Sequence, residues 1–267
     1  MRVGFIGIGN MGGAILSGYM EKNGAGAGEI YAYDTDAGKL GAAENEKGVS
    51  ACGSVGELVE KSDVFLLGVK PDMCEAVLKL AAGSYSDDKV VISMAAGVQI
   101  SFIEKFLGSK AKIIRVMPNT PALVGEGMTA VCRNKNITES DMNQALNIFE
   151  SIGRMCEVPE DLIHCVIGVS GSSPAYTYMY IDALAEAAVK NGMEKGRALT
   201  FAAQSVLGAA KMVLETGIDP EQLRINVCSP GGATIEAVQK LQEMKFAEVV
   251  ETGFQAAVEK SKAMTKG

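Results

Sequence analysis

The first dozen residues constrain the fold more than any other stretch of the chain. Arg2 to Ile6 is a short apolar run that stops at Gly7-Ile8-Gly9-Asn10-Met11-Gly12, and helical spacing then continues through Met11, Ala14, Ile15 and Tyr19. That order is strand, glycine turn, helix. In a G-x-G-x-x-G at this place, Gly7 permits the tight turn, Gly9 lets the backbone approach a pyrophosphate, and Gly12 allows close packing of helix on strand. The free N–H groups of the helix's first turn suit phosphate oxygens. As a bare pattern the motif also fits a glycine-rich turn without ligand; its place between strand and helix favours a dinucleotide.

The alternation persists. Strands are predicted over Glu29–Tyr33, Gly48–Ala51, Val64–Val69, Val90–Met94 and Lys112–Met117, with helices over Ser54–Lys61, Pro71–Leu80 and Ser101–Leu107. The unbroken apolar run Val64-Phe65-Leu66-Leu67 suits a strand buried on both faces of a parallel sheet. Repeated strand and helix imply right-handed crossovers and a doubly wound α/β sheet. Thr129–Cys132 and Arg154–Val158 read as added edge strands around a helix over Glu139–Ile152. Beyond about residue 160 no strand pattern remains, and helices fit Pro174–Lys190, Glu194–Glu215, Thr234–Glu243 and Phe246–Met264. The division expected is 1–160 for a dinucleotide-binding domain and 161–267 for an all-helical one. The helix around Phe201-Ala202-Ala203 and Val206 to Ala210 is apolar or small on nearly every side, and such a helix needs cover all round. A second subunit is the cover expected.

Composition narrows the chemistry. The chain has 267 residues, a net charge of −7, one histidine and no tryptophan. An acidic chain repels phosphate backbones, so nucleic acid is not an expected partner. With His164 alone, neither a Ser-His-Asp site nor a multi-histidine metal site is expected. The six cysteines form no Cys-x-x-Cys pair, which fits buried free thiols in a reducing cytoplasm rather than a metal site or a disulfide scaffold. No apolar run approaches a membrane span, and no signal peptide is evident.

Candidate site residues cluster after the predicted strands, where ligands gather in open α/β sheets. Ile6, Gly7, Gly9, Asn10, Met11 and Gly12 are assigned to the cofactor. Asp34, about twenty residues beyond Gly12, suits ribose hydroxyls and would repel a 2′-phosphate; it equally suits the turn Asp34-Thr35-Asp36. The cofactor is left as NADPH or NADH. Val69, Lys70 and Pro71 end one strand; Lys70 either faces the cofactor or is a solvated charge. Ala95, Ala96 and Gly97 leave room for a flat ring, and Asn119 in Pro118-Asn119-Thr120-Pro121 offers hydrogen bonds or serves the loop. Two further motifs precede helices. Ser170-Gly171-Ser172-Ser173-Pro174 offers Ser173 as a cap and Pro174 as a first helical residue. Ser229-Pro230-Gly231-Gly232-Ala233-Thr234 offers caps, or an anion pocket of backbone N–H groups.

These motifs, with Ala95-Ala96-Gly97-Val98, Met117 to Pro121, Val169 to Tyr176 and Ser229 to Ile235, resemble those of pyrroline-5-carboxylate reductases, in the same order and nearly end to end. The resemblance implies reduction of 1-pyrroline-5-carboxylate to L-proline, the last step of proline biosynthesis. It also implies a Rossmann domain followed by a helical dimerisation domain, and often a pentamer of dimers. It makes Thr234 the catalytic side chain, bonded to the pyrroline nitrogen. Gly231, Gly232 and Ala233 hold the carboxylate in that reading, with Glu160, Asn226 and Ser172 as further substrate-binding residues. The chain departs from the family pattern at Ile225, usually Asp, at Ser173, usually Gly, and at Val55, near where Asn often meets the adenosine ribose. Val55 and Asp34 together weigh against a strong NADPH preference. A β-hydroxyacid dehydrogenase shares the plan, but Ser170–Met179 lacks the lysine expected there. A non-catalytic dinucleotide sensor would leave the Ser-Pro-Gly-Gly loop unexplained.

Overall fold

The computed structural model describes residues 1–24 and 29–265. Strands β1 (Val3–Ile6), β2 (Ile30–Tyr33), β3 (Ser50–Ala51), β4 (Val64–Leu67), β5 (Val90–Ser93), β6 (Lys112–Met117), β7 (Gly127–Arg133) and β8 (Gly153–Glu157) form one sheet. Their order is β3-β2-β1-β4-β5-β6-β7-β8. The first six are parallel, β7 runs antiparallel to β6, and β8 runs parallel to β7. This is the doubly wound Rossmann arrangement, with its order reversing at β1 and two strands added at one edge.

Alternation along the central strands divides the core in two. Val3, Phe5, Val64, Leu66, Val90, Ile92, Ile114 and Val116 face one side and pack with Ile15 and Leu16 of α1 (Asn10–Asn23) and Ile148 and Phe149 of α6 (Glu139–Phe149). Ile6, Phe65, Leu67, Val91 and Ile113 face the other side. They meet Leu58 of α3 (Val55–Lys61), Leu78 of α4 (Cys74–Ala82) and Ile103 of α5 (Ile100–Leu107). Caps fix where helices begin: Ser54 accepts the Glu57 N–H at 3.1 Å, and Thr138 with Asp141 closes a capping box on α6.

Several boundaries differ from expectation. A helix α2 (Ala37–Lys47) fills the β2–β3 crossover. Only Ala43 of it is buried, so it carries little apolar periodicity. Pro71 is not a first helical residue; α4 starts at Cys74 after a turn in which the Met73 N–H reaches the Lys70 carbonyl at 2.9 Å. Helix α6 ends at Phe149 rather than Ile152, because the Ile152 N–H folds back to the Phe149 carbonyl and Gly153 opens β8.

The remainder is helical: α7 (Ile163–Val166), a π-type turn over Ile167–Gly171, α8 (Ser173–Lys190), α9 (Lys195–Thr216), α10 (Pro220–Asn226), α11 (Ala233–Glu243) and α12 (Phe246–Ala263). The described chain divides into two units. One holds Met1–Gly171 together with the segment from Ala257, and the other holds Ser172–Ala256. The break falls past the expected 160, since Glu160 is bonded to Arg115 and Ile100 and Ile163 lies in the sheet core. No described helix is long and apolar enough to cross a membrane.

Candidate active site

At the carboxyl ends of β1, β2 and β4 the backbone is drawn tightly together. The Gly7 N–H reaches the Tyr33 carbonyl at 2.8 Å, and the Gly68 N–H reaches the Ile6 carbonyl at 2.8 Å. Gly7 has φ +88°, and a Cβ there would come within 2.8 Å of the Gly68 carbonyl oxygen. Only glycine meets both conditions at no cost. A Cβ at Gly12 would strike the Gly7 carbonyl, whereas one at Gly9 would meet nothing within 4 Å. The three glycines therefore do different things: two let the turn and helix close up, and the middle one keeps an open backbone face. Helix α1 has no side-chain cap, so its first N–H groups lie beside that face. This cradle fits a pyrophosphate.

Asp34 lies directly beyond β2. Its Oδ2 accepts the Ile8 N–H at 2.8 Å and its Oδ1 accepts the Asp36 N–H at 2.9 Å. The residue makes the expected turn and sets its carboxylate beside the glycine loop. Ala95 and Gly97 are buried beyond β5, with Gly97 at φ +75°. A Cβ on Gly97 would lie 2.7 Å from the Met264 carbonyl oxygen. Val69 is half-buried and Lys70 exposed.

Of the two readings open for Asn119, the structure displays the one that serves the loop. Its side chain is buried, donates to the Ser170 carbonyl at 3.0 Å and accepts the Met128 N–H at 2.9 Å. Both ends of the amide are thus committed to holding the loop after β6 in place. A separate groove of about 710 Å³ runs along α1; of the expected cofactor residues it touches only Gly9 and Asn10.

Glu160 opens a short 3₁₀ turn (Glu160–Leu162). Its Oε1 accepts the Ile100 N–H at 2.9 Å and Arg115 Nη1 at 2.9 Å. Arg115 is 2% exposed, and its Nε has no partner. Sequence reading missed Arg115, since an arginine inside the strand Lys112–Met117 gives no hint of a carboxylate far along the chain. His164 Nδ1 lies 2.8 Å from Ser261 Oγ. Burial first, then Arg115 and Lys262, pushes its pKa below the ordinary imidazole value. Burial pushes the Cys132 thiol up to about 12, so it is inert at neutral pH. The cysteines are not uniformly buried as expected: Cys156 and Cys165 are exposed. No cluster of metal-binding side chains occurs among the described residues.

In the second unit, Ser229-Pro230-Gly231-Gly232 closes a turn in which the Gly232 N–H reaches the Ser229 carbonyl at 3.0 Å. Gly231 has φ +71°, and Pro230 precedes it, the residues a type II turn requires. Gly232 then caps α11 with extended backbone and no side-chain bond, and Thr234 is exposed in the first turn. The serine-glycine motif behaves otherwise. Ser170 lies in the π-type turn, with its Oγ on the Val166 carbonyl at 3.1 Å. Ser172, not Ser173, precedes α8, in helical conformation and without a side-chain cap bond. Chain from Ile163 to Lys190 is therefore nearly continuous helix, and the expected cap at Ser173 is absent.

A family model described as pyrroline-5-carboxylate reductase dimerisation matches residues 160–264, and one described as NADP oxidoreductase coenzyme F420-dependent matches residues 2–97. The pyrroline-5-carboxylate reductase of Escherichia coli (strain K12) is 45% identical over 265 residues, 99% of this chain and 98% of the relative. The chain belongs to the pyrroline-5-carboxylate reductase family. A member from Methanosarcina acetivorans is 38% identical over 265 residues, again 99% of this chain and 98% of the relative. Among solved structures, the pyrroline-5-carboxylate reductase of Coxiella burnetii superposes with TM-score 0.92 at 35% identity, covering 99% of this chain and 98% of that one. The Plasmodium falciparum pyrroline carboxylate reductase, solved with NADP bound, gives 0.86 at 32% identity over 100% and 98%.

Against the family pattern, the three departures have distinct settings. Val55 is 2% exposed and packs in the core. Ile225 is 49% exposed on α10, and Ser173 is the first residue of α8. Asn226 ends α10 with its Oδ1 accepting from Gln222 at 2.9 Å.

Proposed function

We propose that this protein reduces 1-pyrroline-5-carboxylate to L-proline, the last step of proline biosynthesis, with NADPH or NADH as reductant. Full-length kinship with pyrroline-5-carboxylate reductases carries the reading, and the glycine cradle after β1 supplies its physical basis. When bound, the dihydronicotinamide supplies the hydride received by the C=N carbon of the cyclic imine.

The chain's own residues bind and orient. Backbone at Gly7, Gly9, Asn10 and Met11 holds the pyrophosphate, and Ala95, Ala96 and Gly97 give a flat ring room. The first-turn N–H groups of α11, with Gly231, Gly232 and Ala233, receive the substrate carboxylate. Thr234 Oγ1 accepts a hydrogen bond from the protonated ring nitrogen. Glu160, Asn226 and Ser172 belong to the same substrate set. An imine that binds already protonated needs no imidazole to deliver a proton, so orientation and preorganised dipoles supply the rate. That agrees with a chain whose one histidine is tied to Ser261. The helical segment matched by the dimerisation model, residues 160–264, serves substrate binding and dimerisation in this reading, assembling a cytoplasmic homodimer and, through it, a decamer.

The test is the loss of NADH or NADPH absorbance on adding 1-pyrroline-5-carboxylate. Turnover with it, and none in reverse with 2-hydroxy or 3-hydroxy acids, is the expected outcome. Turnover only with a hydroxy acid would assign the β-hydroxyacid dehydrogenase activity instead.

A further inference from the structure

We infer that Asp34, backed by Asp36, makes the protein select NADH over NADPH. The inference rests on the first unit being a nicotinamide-dinucleotide site. Beyond β2, a 2′-phosphate would need N–H donors or a cation, and the N–H groups of Ile8, Asp36, Gly38 and Lys39 already serve carboxylates. The Ile8 N–H is bonded to Asp34 Oδ2 at 2.8 Å. Helix α2 starts three residues beyond Asp34, and its N-terminus would otherwise receive an anion. Asp36 caps it, accepting from the N–H groups of Gly38 at 3.0 Å and Lys39 at 3.2 Å. Lys39, the only cation from residue 34 to residue 40, lies with its Nζ 3.7 Å from Asp36 Oδ2.

Asp34 also cannot turn aside. Its two oxygens are held from two directions, by Ile8 and by Asp36, and rotation would leave both N–H groups without their acceptor. The negative charge is therefore a fixed part of the loop. Each carboxylate oxygen has room for a second hydrogen bond, so ribose hydroxyls are served where a phosphate dianion is repelled. Val55, buried in the core, offers nothing to offset this.

The experiment titrates NADH and NADPH against the full-length protein without substrate, following cofactor fluorescence or heat. NADH is expected to bind about tenfold or more tightly than NADPH. Asp34→Asn keeps the shape and removes the charge, and is expected to cut that ratio by about tenfold, with folding checked by thermal melting. A second arm needs no variant: 5′-AMP should displace NADH from the wild-type protein better than adenosine 2′,5′-bisphosphate does. Equal or tighter NADPH binding, equal displacement by the bisphosphate, or an unmoved ratio in a folded Asp34→Asn protein would each overturn the inference. Binding of neither dinucleotide would overturn it together with the proposed function. Tight NADH binding without reduction of 1-pyrroline-5-carboxylate would sink the proposed function alone.

Discussion

Arg115 and Glu160 tie the 3₁₀ turn after β8 to the sheet. Arg115 is almost wholly buried, and its bonded partner is Glu160 Oε1, at 2.9 Å. Removing one charge of such a pair leaves the other uncompensated in the interior. Glu160→Gln is expected to destabilise the fold by about 3 kcal/mol, read as a lower midpoint in urea. An unchanged midpoint would show that the pair contributes nothing. Thr234 is the opposite kind of residue, exposed and at the edge of its helix, so its loss should leave the fold intact. Thr234→Ala is expected to lower kcat/KM by about ten- to a hundredfold with an unchanged melting temperature, as loss of one hydrogen bond to a charged group would do. Full kcat/KM in that variant would remove Thr234 from the mechanism.

The strand–glycine–helix element behaves as a unit because β1, Gly7, Gly12 and α1 are in backbone contact. Gly12→Ala puts a methyl against the Gly7 carbonyl and pushes α1 off β1. The dissociation constant for NADH should rise by about tenfold or more, measured by fluorescence titration. Unaltered binding would mean that helix–strand spacing does not set the cradle. This element was legible in the sequence because its glycine spacing and helical period all lie between Arg2 and Tyr19, although its closure against Gly68 is tertiary. The same holds for the Ser-Pro-Gly-Gly turn, whose proline and glycine name their own conformation. Other elements were not legible. Helix α2 has two glycines and one buried residue, so its pattern is faint. Helix α10 had its cap in Asp219 and its first residue in Pro220, but no buried position to mark a face. Asn119 stayed open between binding and loop roles because its partners, Ser170 and Met128, are chosen by tertiary folding. The serine-glycine stretch read as a cap before a helix because serine favours caps and proline first helical positions, whereas the chain is already helical through Ile167–Gly171 and Ser172.

At the scale of the whole molecule, the helical unit leaves much apolar surface uncovered in one chain. Of α9 only Ala198 and Ala202 are buried, while Phe201 is 69% and Leu207 53% exposed. Met179, Met244 and Val249 are exposed as well. Surface of that kind calls for a partner, and the proposed homodimer supplies one. Light scattering at micromolar concentration is expected to give a mass of twice the chain or a multiple of that, and a monodisperse monomer would refute it. The central claim is chemical, and isotope transfer tests it most directly. The protein is incubated with 1-pyrroline-5-carboxylate and dinucleotide deuterated at the transferring position of C4, and the product is read by mass and NMR. The account predicts L-proline carrying one deuterium at C5. Unlabelled proline, or dinucleotide oxidation with no proline formed, would contradict it.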